Sequence, residues 1–159
     1  MGCKKGQFYL IAAVLIVVLI VAAVTVYNYS KKRDSVALYD LGEELGIESQ
    51  YVLDSGTAAN MDTLLGNFIE DYVDYVGEGK KLYFVYGDAS GSGLTIVSYE
   101  GESTAQIQTA SFREEGGQVI IVVEEDGKEI EYQFDLETGH GFYFVISQEI
   151  DGEKYVVQG

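Results

Sequence analysis

The chain of 159 residues contains no proline, no tryptophan, one cysteine and one histidine. A single cysteine excludes an internal disulfide, and a single histidine leaves too few ligands for a zinc site of the usual cysteine and histidine type. No acidic residue precedes Asp34, and from Asp34 onward 26 acidic residues face only five basic ones, a balance of -21. A surface of this charge repels phosphate, so we expect no nucleic-acid partner.

An apolar run occupies residues 8–26, which read FYLIAAVLIVVLIVAAVTV, with Thr25 as the only polar residue. A helix of this length spans roughly 28 Å, about the thickness of a bilayer core. The run is apolar on all sides, which argues against a buried core helix. It is also longer than the apolar part of a removable secretory signal. We therefore predict a single transmembrane helix.

Basic residues flank this run on both sides. Lys4 and Lys5 precede it, and Lys31, Lys32 and Arg33 follow it. The positive-inside rule is therefore close to balanced, so charge alone leaves open which side of the membrane the acidic part faces.

The residues directly before the run read Lys4-Lys5-Gly6-Gln7. A short basic leader, Gly-Gln and a contiguous apolar helix resemble the class III signal peptide of archaeal type IV pilin-like proteins. The resemblance implies that a prepilin peptidase cuts on the cytoplasmic side between Gly6 and Gln7, and that the helix stays in the mature protein. It also implies a cytoplasmic amino terminus and an extracellular acidic head. The lysines would hold the leader at the anionic membrane surface, and Gly6 lets the backbone lie extended in a protease cleft.

The same resemblance implies a structural subunit of a cell-surface filament or pseudopilus, which associates with itself or with other pilin-like subunits. Many bacterial pilins have glutamate at the fifth mature position, where this chain has Ile11; archaeal members often lack that glutamate. Small residues allow apolar helices to approach each other closely. The residues we expect to pack between helices in the membrane or filament are Phe8, Ala12, Ala13, Ala22 and Ala23.

We divide the chain into a cleaved leader at residues 1–6, a transmembrane helix and stalk at residues 7–56, and an acidic globular head at residues 57–159. In the stalk, Val36, Tyr39, Leu41 and Leu45 share a rough helical stripe. We expect the helix to continue to about Leu45 and a looser connection to follow.

The head begins with a strong helical pattern over residues 58–76, AANMDTLLGNFIEDYVDYV. Apolar residues recur at intervals of three and four positions, which predicts an amphipathic helix with one buried face. The predicted core residues of this helix are Met61, Leu64, Leu65, Phe68, Ile69, Tyr72, Val73 and Val76.

Seven short strand patterns follow: residues 82–87, 94–99, 106–112, 118–124, 129–136, 142–149 and 154–158. Asp126-Gly127 and Asp151-Gly152 are tight-turn signals, so the strands that flank each pair should form hairpins. We predict an α+β fold in which the strands form one antiparallel meander. The helices should cover one face of this sheet, and the other face should be solvated or covered by neighbouring molecules.

The head offers little that resembles a catalytic or metal site. We interpret His140, flanked by glycines, as a surface loop residue, and residues 88–93, DASGSG, as a flexible turn rather than a calcium loop. We therefore expect no enzyme activity, no cofactor and no metal. The alternative to a filament subunit is a single-pass, membrane-anchored extracellular binding domain that does not polymerise.

Overall fold

The computed structural model describes residues 3–57, 59–77, 79–89, 93–100, 110–125 and 127–159. The fold is α+β, as predicted. The elements are α1 (Cys3–Ser55), α2 (Met61–Val76), β1 (Lys80–Asp88), β2 (Gly93–Glu100), β3 (Ala110–Glu115), β4 (Gln118–Glu125), β5 (Lys128–Asp135), β6 (His140–Ile150) and β7 (Glu153–Gln158). The chain divides into two compact units, Met1–Val36 and Ala37–Gly159, and α1 contributes to both. The boundary between the two units lies within α1, about one-third of the helix length from its end at Ser55.

The first unit contains the apolar part of α1. The segment Ile11–Ser30 is long and apolar enough to cross a membrane, and none of it is buried within the structure. Exposed apolar surface of this extent is unfavourable in water and needs lipid or another protein to cover it.

The part of α1 in the second unit, residues 37–55, buries one face that includes only part of the apolar stripe in the sequence. Leu38 and Leu45 are completely buried, whereas Val36 and Tyr39 are 47% and 55% exposed. Two of the four residues of the stripe therefore lie outside the buried face. The looser connection expected after Leu45 is wrong, because the helix continues to Ser55. Burial of apolar side chains on one face outweighs the weak helix propensity of the glycines in this stretch.

Helix α2 is present where the apolar pattern predicted it. Six of the eight predicted core residues are buried, and Leu64 and Phe68 are partly buried. The helix ends at Gly77, whose φ of 75° suits glycine. The Nζ atom of Lys80 donates a hydrogen bond of 3.0 Å to the carbonyl oxygen of Val76, which satisfies one of the free carbonyls at the helix end.

The strands form two antiparallel sheets, so the prediction of a single meander is wrong. The first sheet has the order β2-β1-β6-β7, and the second has the order β3-β4-β5. Both predicted hairpins are confirmed, since β4 pairs with β5 and β6 with β7. The correction comes from β1 and β6, which pair with each other although they lie far apart in the sequence. Both carry nearly continuous buried runs, as is typical of central strands covered on both faces.

Two hydrophobic cores lie on opposite sides of the four-stranded sheet. The first lies between this sheet and the helices, with Leu45, Leu65 and Phe84 among its members. The second lies between the two sheets and includes Val85 and Ile121. The face expected to be solvated or covered by neighbouring molecules is therefore covered by the chain's own second sheet. Of the strand predicted at residues 106–112, residues 106–109 lie outside the described residues, and the remainder belongs to β3.

Candidate functional site

The predicted processing site lies at the start of α1. Lys4, Lys5, Gly6 and Gln7 all fall within the first turns of the helix Cys3–Ser55. The first four N–H groups of a helix have no partner within it, so its first turn is the least stabilised part. A protease that requires an extended backbone must unwind this turn, and Gly6 lowers the helix propensity at the predicted cleavage bond.

The small residues predicted to pack between helices do not form a single stripe. Ala12 and Ala23 are eleven positions apart, about three helical turns, so they lie on the same side of α1. Ala13 and Ala22 point to two other sides by the same geometry. All four alanines are exposed, and the side chain of Phe8 lies outside the described residues. Ala12 and Ala23 therefore mark the side on which another helix can approach most closely.

A groove in the unit Ala37–Gly159 has a volume of about 1120 Å³. It lies between residues 37–55 of α1, the end of β5 and the strands β6 and β7. Its lining residues are Tyr39, Gly42, Glu43, Gly46, Ile47, Ser49, Gln50, Tyr51, Leu53, Asp54, Phe134, Asp135, Glu137, Phe142, Tyr143, Phe144, Val157, Gln158 and Gly159. Sequence reasoning missed this groove, because it joins segments about a hundred residues apart.

Close backbone approaches shape the floor of the groove. Gly159 and Phe144 exchange two backbone hydrogen bonds, 2.8 Å from the Phe144 nitrogen to the Gly159 oxygen and 3.2 Å in the reverse direction. Beside them, a Cβ atom added at Gly42 would overlap the side chain of Val157. By contrast, a Cβ atom at Gly46, one turn further along α1, would meet no atom within 4 Å. The groove is thus closed at Gly42 and open at Gly46.

The charge in the groove is entirely negative. Its lining includes four exposed carboxylates and no lysine, arginine or histidine. These carboxylates belong to Glu43, Asp54, Asp135 and Glu137. Asp54 accepts a hydrogen bond of 3.1 Å from the side-chain amide of Gln50, and Asp135 accepts one of 3.2 Å from Gln118. Within the part of the chain that the structure describes, none of the four forms an ion pair with a cation.

Aromatic rings accompany these carboxylates. Tyr39 and Tyr51 are 55% and 71% exposed on α1, and Phe134 of β5 also lines the groove. The hydroxyl of Tyr143 accepts a hydrogen bond of 2.9 Å from the backbone N–H of Glu137, which holds the loop after β5 against β6. Burial raises the pKa of Tyr143 above its ordinary value, so this hydroxyl stays neutral at physiological pH.

His140 is not the surface loop residue that its flanking glycines indicated. It is the first residue of β6 and is partly buried, with its Nε2 atom 3.9 Å from the Oδ1 atom of Asp62 in the first turn of α2. Of the predicted turn at residues 88–93, Ser90, Gly91 and Ser92 lie outside the described residues. In the ranges that the structure describes, no three metal-ligating side chains come together.

No known protein family, curated protein or solved structure matches this chain.

Proposed function

We propose that the protein is a pilin-like structural subunit of a cell-surface filament or pseudopilus, matured by a prepilin peptidase that cuts between Gly6 and Gln7. One observation carries the proposal. A single helix, α1, supplies both the exposed apolar segment Ile11–Ser30 and, further along, side chains buried in the core of the β-rich unit. A simple membrane anchor needs only the first of these two features.

The exposed apolar segment suits exchange between lipid and a helix bundle. Its side chains stay out of water in either place, so the transfer costs little and packing between helices decides the outcome. Ala12 and Ala23 give one side of the segment the small residues that such packing favours. In this proposal the helix is held by the membrane before assembly and by other subunits after it.

The leader supports the orientation of the chain. If a prepilin peptidase cuts at Gly6, its cytoplasmic active site places the amino terminus inside the cell and the acidic head outside. The mature subunit is then a single-pass membrane protein whose partners are the membrane, the peptidase and other pilin-like subunits. We propose a structural role for it rather than a catalytic one.

The test is the amino terminus of the mature protein. The intact mass and amino-terminal sequence should be determined for the protein from its own cell, or after co-expression with an archaeal prepilin peptidase. We expect a chain that starts at Gln7, and processed protein that enters filaments. A chain that still starts at Met1 or Gly2 in the presence of active peptidase would contradict the proposal.

The groove favours one second candidate, a single-pass, membrane-anchored extracellular binding domain that does not polymerise. An open groove of about 1120 Å³ with aromatic walls is large enough for a ligand. This candidate needs no cleavage and no filament. An uncut leader together with a strictly monomeric protein would favour it.

A further inference from the structure

We propose that the groove binds the basic residues Lys31, Lys32 and Arg33 of a second copy of the chain, and we call these three residues the basic triad. The inference rests on the proposed function, since it names the contact through which one subunit holds the next. One side of the contact is the basic triad, which follows the apolar segment Ile11–Ser30 in the sequence. The other side is the acidic unit Ala37–Gly159.

The first argument is the charge of the acidic unit. Between positions 37 and 159, 25 acidic residues face five basic ones, a net charge of -20. Copies of such a unit repel each other at every distance within the screening length of the solution. A cation at the contact offsets this repulsion, and the basic triad is the only place where this sequence has three adjacent basic residues.

The second argument is the chemistry of the groove. Its exposed carboxylates have no cationic partner among the described residues, and its walls carry tyrosine and phenylalanine rings. Lysine and arginine combine an apolar stem with a charged end, and they are attracted both to carboxylates and to the faces of aromatic rings. Tyr39 and Tyr51 supply such faces beside Glu43 and Asp54 on α1. An apolar peptide or an anion would leave the carboxylates without a partner.

The third argument concerns which copy supplies the triad. Glu43, the first carboxylate of the groove, follows Arg33 by ten positions on the same helix. Side chains of one helix interact at spacings of three or four residues. A spacing of ten residues is too long for such a contact between Arg33 and Glu43 of one helix. The triad of a second copy is not bound by this spacing. Gly46 leaves open space beside Glu43 for the approach of another chain.

The test is an exchange of charge in the full-length chain, held in an uncharged detergent so that lipid phosphate plays no part. The groove variant combines Glu43→Lys with Asp54→Lys, and the triad variant combines Lys31→Glu, Lys32→Glu and Arg33→Glu. Self-association is measured by analytical ultracentrifugation. We expect the association of each variant to be weaker than that of the parent chain by a factor of about ten or more. Mixing the groove variant with the triad variant should restore association between the two.

The matched control is the variant Asp71→Lys with Asp74→Lys, which changes two exposed carboxylates of α2 outside the groove. The groove variant and this control reduce the net negative charge equally. If only general repulsion mattered, both would strengthen self-association, whereas the proposed contact predicts that the groove variant alone weakens it. A groove variant that associates as strongly as the control would overturn the inference, as would a parent chain that stays monomeric.

Disulfide formation gives a second, independent readout. One tagged copy carries Gly46→Cys and a differently tagged copy carries Arg33→Cys, both with Cys3→Ser so that no other thiol is present. Mild oxidation should give a disulfide-linked pair of the two tags, because disulfides form only between closely approaching residues. A yield no higher than with Asp74→Cys in place of Gly46→Cys would contradict the contact. Cleavage at Gln7 is scored separately. Processed filaments with no effect of charge exchange would remove this inference alone, whereas an uncut leader would remove the proposed function.

Discussion

Gly42 of α1 lies directly against the side chain of Val157 in β7, so close that a Cβ atom at Gly42 would overlap it. The contact joins an early helix to the last strand of the fold. Valine is branched at Cβ and has little rotameric freedom with which to move aside. The absence of a side chain at Gly42 is therefore what lets the helix lie on the edge of the four-stranded sheet.

Substitution of the two groove glycines by alanine should have opposite effects. Alanine favours a helix over glycine by about 1 kcal/mol, but at Gly42 overpacking costs about 1–3 kcal/mol. We expect Gly42→Ala to lower the thermal unfolding midpoint of the full-length protein in detergent and Gly46→Ala to raise it. Adding Val157→Ala to Gly42→Ala should recover part of the loss. If Gly42→Ala raised the midpoint as much as Gly46→Ala, the close contact would be refuted.

Residues 37–55 of α1 should contribute strongly to the stability of the β-rich unit. Leu45 is completely buried, so Leu45→Ala should lower the free energy of unfolding by about 2–5 kcal/mol through the cavity that it leaves. Ile47, two positions along, is 52% exposed, and Ile47→Ala should change the free energy by less than about 0.5 kcal/mol. Thermal or denaturant unfolding followed by near-UV circular dichroism measures both. Equal effects of the two substitutions would argue against the packing of residues 37–55.

Local sequence patterns predicted those parts of the fold that local interactions decide. The amphipathic repeat gave the position of α2, and the Asp-Gly turns identified the two hairpins β4–β5 and β6–β7, because a two-residue turn forces its flanking strands to pair. The apolar run predicts helix α1, but the predicted end at Leu45 is ten residues before the observed end at Ser55. The glycines at 42 and 46 suggested a weak helix, and only the tertiary contact at Gly42 explains why one of them is there.

Long-range pairing could not be read from the sequence. The pairing of β1 with β6 brings Phe84 opposite Phe144, sixty residues apart, and nothing local specifies that partner. The groove depends on the same long-range arrangement, since it needs α1, β5 and β7 together. In the sequence its carboxylates are typical of a solvated acidic surface, because Glu43 and Asp135 are far apart and no local pattern places them together.

Tyr72 should make stability sensitive to alkaline pH. Its hydroxyl donates a hydrogen bond of 2.7 Å to the carbonyl oxygen of Leu41, which ties α2 to α1. Burial, and then the nearby carboxylates of Glu44 and Glu48, raise the pKa of Tyr72 well above its ordinary value. The unfolded chain therefore loses this proton first, at about pH 10, so the stabilisation is complete below that pH and is lost as the pH rises above it.

Removing the hydroxyl tests this relationship. At neutral pH, Tyr72→Phe should lower the free energy of unfolding by about 0.5–1.5 kcal/mol, the usual contribution of one hydrogen bond. Between about pH 10 and pH 12 its stability should fall less steeply than that of the parent chain. The slope should not vanish, because burial also raises the pKa of Tyr86 and Tyr143. Tyr51→Phe is the control, since Tyr51 is 71% exposed. Parallel curves for Tyr72→Phe and the parent chain would contradict the prediction.

A substitution at Gly6 separates recognition by a peptidase from chance. Valine at this position adds a branched side chain where the proposal needs a backbone that fits closely into a protease cleft. We expect Gly6→Val to abolish cleavage during co-expression with an archaeal prepilin peptidase, while Gly2→Val, in the same leader but away from the bond, is cut at Gln7 like the parent chain. Intact mass spectrometry measures each fraction, and co-expression with an inactive peptidase gives the background.

The prediction is specific because both variants keep the basic leader and the apolar helix intact. Insertion into the membrane depends on the apolar length of residues 8–26 and not on the residue at position 6, so both proteins should reach the membrane fraction equally. A loss of cleavage in Gly6→Val alone then reflects the bond and not the location of the protein. Cleavage of Gly6→Val at the parental rate would mean that the peptidase does not read this glycine, and Gly-Gln would lose its place in the argument for a pilin-like subunit.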